Sequence, residues 1–319
     1  MLLASAGILF GLLVLVWGAD RFVMGAAGLS RNLGVSPLVI GLTVVGFGTS
    51  APEMMVSLMA ALDGAPGIAI GNAIGSNIAN IGLILGATAI VAPLSYHSGV
   101  LRREYPILIL VSLGIATLLL DAEISPVDGI LMIGGLVIVL WRTFKLATST
   151  TQDPITDEYD AEIPKDLPTA MAVFWTIIGL ALLLAGSKSM VWGATQVALY
   201  FGVSDLVIGL TIIAIGTSLP ELAASLASVA KNEHDMAVGN VIGSNIFNSL
   251  AVLSIPAFFG PTMVDNAVIL RDIPLMLGLT LAILLIGRHA DGSGRILRWQ
   301  GGLLLSVFVA YQVWLYLAG

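Results

Sequence analysis

Residues 34–53, GVSPLVIGLTVVGFGTSAPE, return without a gap 168 positions later as GVSDLVIGLTIIAIGTSLPE, residues 202–221. The same offset carries GNAIGSNIAN (71–80) onto GNVIGSNIFN (239–248), and it still holds at LRREYP (101–106) and LRDIP (270–274) once one residue is dropped. Apolar composition can mimic the leucines and valines, but not glycines and polar residues in phase over such a length. The chain is two copies of one unit, and a fold that suits one copy must suit the other.

The medium follows from composition. The 319 residues are 57% hydrophobic and 10% charged, with a mean hydropathy of +1.00. Soluble domains carry roughly 25% charged residues, so a buried core does not explain the deficit, and the apolar runs are long enough to cross a bilayer. The N-terminal run has no basic region or cleavage site and reads as a first span, not a removed signal. Cysteine is absent, which excludes disulfides and thiolate metal sites.

Spans are expected near 3–30, 37–62, 67–91, 104–120 and 127–147, and again near 170–200, 206–230, 235–259, 270–287 and 299–318. Between them lies TSTTQDPITDEYDAEIPKDLP, residues 148–168, polar and acidic. The expected fold is an all-α membrane protein of ten transmembrane helices: a first five-helix repeat (1–147), a cytoplasmic acidic linker (148–168) and a second repeat (169–319). Five crossings per copy make the second copy enter from the opposite face, so the repeats are inverted. Loops after the odd-numbered spans hold Arg31, Arg102, Arg103, Arg142, Lys145, Lys165, Lys231, Arg288, Arg295 and Arg298, against Arg271 alone on the other side. That bias predicts that the first set is cytoplasmic and that both termini lie outside a cell (inner) membrane.

Each copy places a helix breaker beside an acid at membrane depth. Pro52 and Pro220 have no amide hydrogen, so the carbonyls of Gly48 and Gly216 lose their helical donors. Helices 2, 3, 7 and 8 are expected to be kinked or broken, and loosened carbonyls at that depth need another partner. Thr49, Ser50 and Glu53 fall on one helix face, and Thr217, Ser218 and Glu221 repeat the pattern. Ionisable groups at bilayer centre mark function. Asn72, Ser76 and Asn80, with Asn240, Ser244 and Asn248, add amide and hydroxyl stripes at a spacing of four. Gly71 with Gly75, and Gly239 with Gly243, predict close helix approach. Such hard oxygen donors suit Na+ and Ca2+, whereas transition metals want His or Cys. His97, His234 and His289 fall in or near loops and read as surface residues.

GTSAPE with GNAIGSNIANI, and GTSLPE with GNVIGSNIFN, resemble the two alpha repeats of the cation/calcium exchanger superfamily, in its sodium/calcium exchanger branch. The GNAxE motifs of the proton-coupled branch do not occur. The resemblance implies a secondary antiporter exchanging Ca2+ for Na+ by alternating access, and it implicates Glu53 and Glu221 in the divalent site. It adds Thr49, Thr217, Ser50, Ser218, Ser76, Ser244, Asn80 and Asn248, and backbone carbonyls from Gly46 and Ala214. Some relatives carry an aspartate at the position of Asn248, so here the site holds two carboxylates, which argues against K+ coupling. Spans 1 and 6, near 30 residues each, would slide against the rest.

The implied partners are the two ions and the lipid bilayer, without nucleic acid or cofactor, and with the monomer as functional unit. A Ca2+/H+ antiporter using the same glutamates is the main rival. An intramembrane carboxylate enzyme would need a substrate cleft and an acid/base pair, which symmetric hydroxyl and amide stripes do not offer, and a passive channel would need no counter-ion. Asp20 and Lys188, equivalent at the 168 offset, are expected to snorkel to opposite interfaces without pairing. The acids Asp157, Glu158, Asp160 and Glu162 do not match a calcium-binding loop and read as a solvated linker.

Overall fold

In hydrocarbon a backbone must satisfy its own amides, so apolar runs become helices. The structure, a computed structural model, describes residues 1–97, 99–149, 154–286 and 294–318, so that Arg288, His289 and the linker positions 150–153 lie outside the described residues. Eight described helices are long and apolar enough to cross a membrane, or nine with one bent pair. In chain order they are α1 (Leu2–Asn32), α2 (Pro37–Thr49 with Ala51–Leu62, bent by 40°), α3 (Pro66–Val91), α4 (Arg102–Asp121), α5 (Pro126–Lys145), α7 (Thr169–Phe201), α8 (Asp205–Ala230), α9 (His234–Phe259) and α11 (Arg298–Leu317). Two shorter helices complete the set: α6 (Pro154–Glu162), inside the linker, and α10 (Ile273–Ile286). A wider π-helical turn, Val268–Asp272, precedes the α-helical part of the ninth expected span.

Short strands sort the loops to two ends. At one end, β1 (Leu94–Tyr96) pairs antiparallel with β4 (Gly294–Ile296). Arg31 reaches Asp160 at 3.0 Å, Lys231 pairs with Glu162, and His97 N–H donates to Asp235 at 2.8 Å. This linker end therefore gathers the loops after α1, α3, α5, α8 and α10, the odd-numbered set of the sequence. At the far end, β2 (Glu123–Ile124) pairs with β3 (Thr262–Met263).

The helices α1 and α7 pack antiparallel along their whole lengths. A methyl group built on Gly11 would lie 2.6 Å from Met190 N, one on Gly18 3.0 Å from Leu183 N, and one on Gly25 2.5 Å from Thr176 N. Only small residues permit such backbone approach. This register sets Asp20 about two helical turns from Lys188, and Asp20 pairs with its neighbour Arg21 at 3.5 Å. Arg21 in turn stacks over Trp17 and Trp175.

The remaining long helices enclose α3 and α9, whose central faces are fully buried. Two buried acids fasten the periphery at matched positions 168 apart. Thr143 Oγ1 donates to Glu104 at 2.9 Å, joining α4 to α5, and Tyr311 Oη donates to Asp272 at 2.8 Å, joining the start of α10 to α11.

The linker is not the plain solvated segment expected from its acids. Ile155, Tyr159 and Ile163 recur every fourth residue and are buried, so α6 docks by an apolar stripe. His234 is half-buried rather than fully solvated, and its Nδ1 has no hydrogen-bond partner among the described residues.

Candidate functional site

Both GTS(A/L)PE segments break their helices at the same backbone geometry. Ser50 has φ −84° and ψ 1°, and Ser218 has φ −85° and ψ 1°. A new helix begins at Ala51 or Leu219, with the proline in its first turn, where a missing amide hydrogen costs nothing. Glu53 and Glu221 thereby sit in the first turn of a helix, where the free amides favour negative charge. The single-face expectation for Thr49, Ser50 and Glu53 is thus modified, because Ser50 is the turn itself.

Asn80 and Asn248 each open a π-helical turn, Asn80–Leu85 and Asn248–Val252. Such turns widen a helix and frequently occur at functional sites. The matched pairs of residues from α2, α3, α8 and α9 converge at the centre of the molecule, and the carboxylates are fully buried.

The hydrogen bonds cross between halves. Thr49 Oγ1 lies 3.2 Å from both Gly46 O and Asn240 Oδ1 and 3.3 Å from Ser244 Oγ. Thr217 Oγ1 lies 3.1 Å from Asn72 Oδ1 and 3.4 Å from Ala214 O. Ser218 donates to Glu53 Oε1 at 3.4 Å, and Asn80 Nδ2 donates to Asn245 Oδ1 at 2.9 Å. Ser76 reaches Asn72 at 3.5 Å.

What remains unsatisfied is more telling. Glu53 Oε2, both Glu221 carboxylate oxygens, Ser50 Oγ, Asn80 Oδ1 and both polar atoms of Asn248 are buried without a hydrogen-bond partner among the described residues. Buried polar groups are ordinarily paired, and a lone buried carboxylate is costly. Orphan oxygens from five residues gathered at one depth form a set of hard donors that a cation satisfies. Among the described residues no third acid joins the two glutamates, in keeping with the asparagine at position 248.

Sequence reasoning missed five polar residues in and around this network. Asn77 donates to Ser249 at 2.8 Å and Asn245 donates to Asn77 O at 3.3 Å, which ties α3 to α9. Ser57 accepts from Asn72 Nδ2 at 3.0 Å, whereas its repeat equivalent Ser225 has no side-chain partner among the described residues. The offset of 168 relates Asn77 to Asn245 and Ser57 to Ser225, so the repeat itself carried the signal.

A buried pair of carboxylates amid matched hydroxyls and amides, on broken helices of a polytopic bundle, defines a cation antiporter of the calcium/cation exchange class. The chain belongs to the sodium/calcium exchanger protein family, whose profile matches residues 3–145 and 171–317. It is 49% identical over 317 residues to CaxA of Alkalimonas amylolytica, covering 99% of each chain. It is 44% identical over 322 residues to the inner membrane protein YrbG of Escherichia coli K12, covering 99% of this chain and 98% of that one. Its fold matches solved structures of the sodium-calcium exchanger NCX_Mj soaked with Na+ and Sr2+, with a TM-score of 0.68, 35% identity and 97% of each chain covered.

Proposed function

We propose that the chain exchanges Ca2+ for Na+ by alternating access, and that its ion site consists of Glu53, Glu221, Thr49, Thr217, Ser50, Ser218, Ser76, Ser244, Asn80 and Asn248 with the Gly46 and Ala214 carbonyls. The observation that carries this reading is the set of orphan oxygens on Glu53, Glu221, Ser50, Asn80 and Asn248. Two carboxylates neutralise one Ca2+, or hold Na+ ions with help from neutral oxygens, so one cavity serves both ions in turn.

The architecture that suits this function is ten spans in two inverted repeats, 1–147 and 169–319, joined by the linker 148–168. The antiparallel packing of the equivalent helices α1 and α7 supports the inversion. The gathering of the basic loops at the linker end supports a cytoplasmic linker, both termini outside, in a cell membrane. The repeats complete the site within one chain, so the monomer suffices.

Ion-swap flux in proteoliposomes tests the reading. Ca2+ uptake should follow an outward Na+ gradient and cease without a counter-ion. Uptake driven equally well by a pH gradient alone, without Na+, would assign the same glutamates to Ca2+/H+ exchange instead.

A further inference from the structure

Repeat symmetry provides a reference against which each end can be compared. At the far end α3 lies on α8 backbone to backbone. A methyl on Gly71 would sit 2.5 Å from Leu206 O and 2.8 Å from Leu210 N, and one on Gly75 would sit 2.8 Å from Ala214 Cβ. The offset of 168 makes α9 on α2 the equivalent contact at the linker end, with Gly243 for Gly75, Leu42 for Leu210 and Gly46 for Ala214. At Gly243 that contact is not made. A methyl on Gly243 meets nothing within 4 Å, and the close approach expected at this glycine is found only in the first half. The helices still touch at Thr49, through Asn240 and Ser244, and part toward the linker end.

The parted face is not bare. Gly209, at the far end, lies under the backbone of α3, with Ile68 O at 2.6 Å from its built methyl. Its repeat equivalent, Gly41, lies instead under the ring of Tyr159, from α6. Tyr159 is 4% exposed and Ile155 fully buried. Glu158 accepts the backbone N–H of Met236, in the first turn of α9, at 2.5 Å. Asp160 and Glu162 pair with Arg31 and Lys231, at the end of α1 and just after α8. Exposed ion pairs contribute little, so the apolar stripe carries the docking.

We infer that α6 is a plug in the linker-end mouth: Tyr159 stands where the backbone of α9 would pack on Gly41, and ions pass that end only when α6 undocks. The inference rests on the exchange reading of the site. It assigns the linker a gating role that neither repeat contains.

The absence of cysteine makes single thiols clean reporters. Leu42→Cys, beside Gly41, is labelled by a hydrophilic thiol reagent on protein in nanodiscs. With Tyr159→Ala, labelling should accelerate about tenfold, and Tyr159→Phe should keep the wild-type rate because the ring is retained. In a separate variant, Glu158→Cys and Met236→Cys are joined by a short cleavable bifunctional thiol reagent. Ca2+ flux should stop on tethering and return on cleavage. Unchanged Leu42→Cys labelling in Tyr159→Ala, or full flux through the tethered protein, overturns the plug, and the tether decides the matter even if Tyr159→Ala misfolds. If wild-type liposomes show no Ca2+ exchange while labelling still responds to Tyr159, the exchange reading fails and the plug stands.

Discussion

Ser57 and Ser225 hold equivalent places in the two repeats, yet the structure predicts that removing their hydroxyls has opposite effects. Asn72 Nδ2 donates to Ser57 Oγ and to Glu53 O, each at 3.0 Å, while its Oδ1 lies 3.1 Å from Thr217 Oγ1. This fully buried amide therefore ties α2, α3 and α8 together toward the far end. In the other half Asn240 Nδ2 and Ser225 Oγ are both without partners among the described residues. Ser57→Ala leaves one buried amide hydrogen unpaired, at a cost of about 1–3 kcal/mol to this arrangement. At 1.4 kcal/mol per decade, that moves the ratio between this arrangement and its inverted counterpart by about tenfold. Ser225→Ala removes a hydroxyl that is unpaired here but would bond Asn240 in the counterpart, so it shifts the ratio toward the observed arrangement. The assay is thiol labelling of Leu210→Cys at the far end and of its repeat partner Leu42→Cys at the linker end. Ser57→Ala should raise Leu210→Cys labelling, and Ser225→Ala should not. Equal responses to the two serine substitutions would refute the reasoning.

Glu53→Gln and Glu221→Gln should each give folded, membrane-inserted protein with at least about 100-fold weaker Ca2+ transport, since each removes a unit charge facing a divalent ion; near-normal sodium-driven flux in both would remove them from the site. Asn248→Asp adds a third acid beside two glutamates and removes an amide donor, so Ca2+ uptake measured against pH should become steeper near neutrality, and coincident profiles would reassign Asn248 to helix packing. Cysteines at Asp166 and Asp121 should label from opposite faces in intact cells, with Asp121→Cys reacting with an impermeant reagent added outside; the reverse pattern would invert the topology. Burial pushes the Glu158 carboxyl up to about 7, against the lowering effect of the Met236 amide and with help from the facing acids Asp235 and Glu233. A raised pKa in the docked state means that docking is favoured at low pH and loses that contribution as pH rises through about 7. Leu42→Cys labelling, taken relative to an exposed Asp166→Cys so that the thiol's own ionisation cancels, should therefore accelerate with rising pH, and Glu158→Gln should flatten that ratio.

The sequence by itself determined the two-copy pattern and most of the residues proposed for the ion site. An offset of 168, a polar divider and helix-breaking prolines beside Glu53 and Glu221 are local features, and local features repeat faithfully when a sequence repeats. The apolar spacing of Ile155, Tyr159 and Ile163 is a helix-face signal in the linker that the reading from its acids passed over. Tertiary structure decided the asymmetry. Gly75 is packed and Gly243 is open; Ser57 is bonded and Ser225 is not. Two near-identical copies encode the same close contact at both ends, yet the structure makes it at Gly75 and not at Gly243. Which end closes depends on how the halves pack against each other and on Tyr159, a residue of the linker that belongs to neither copy.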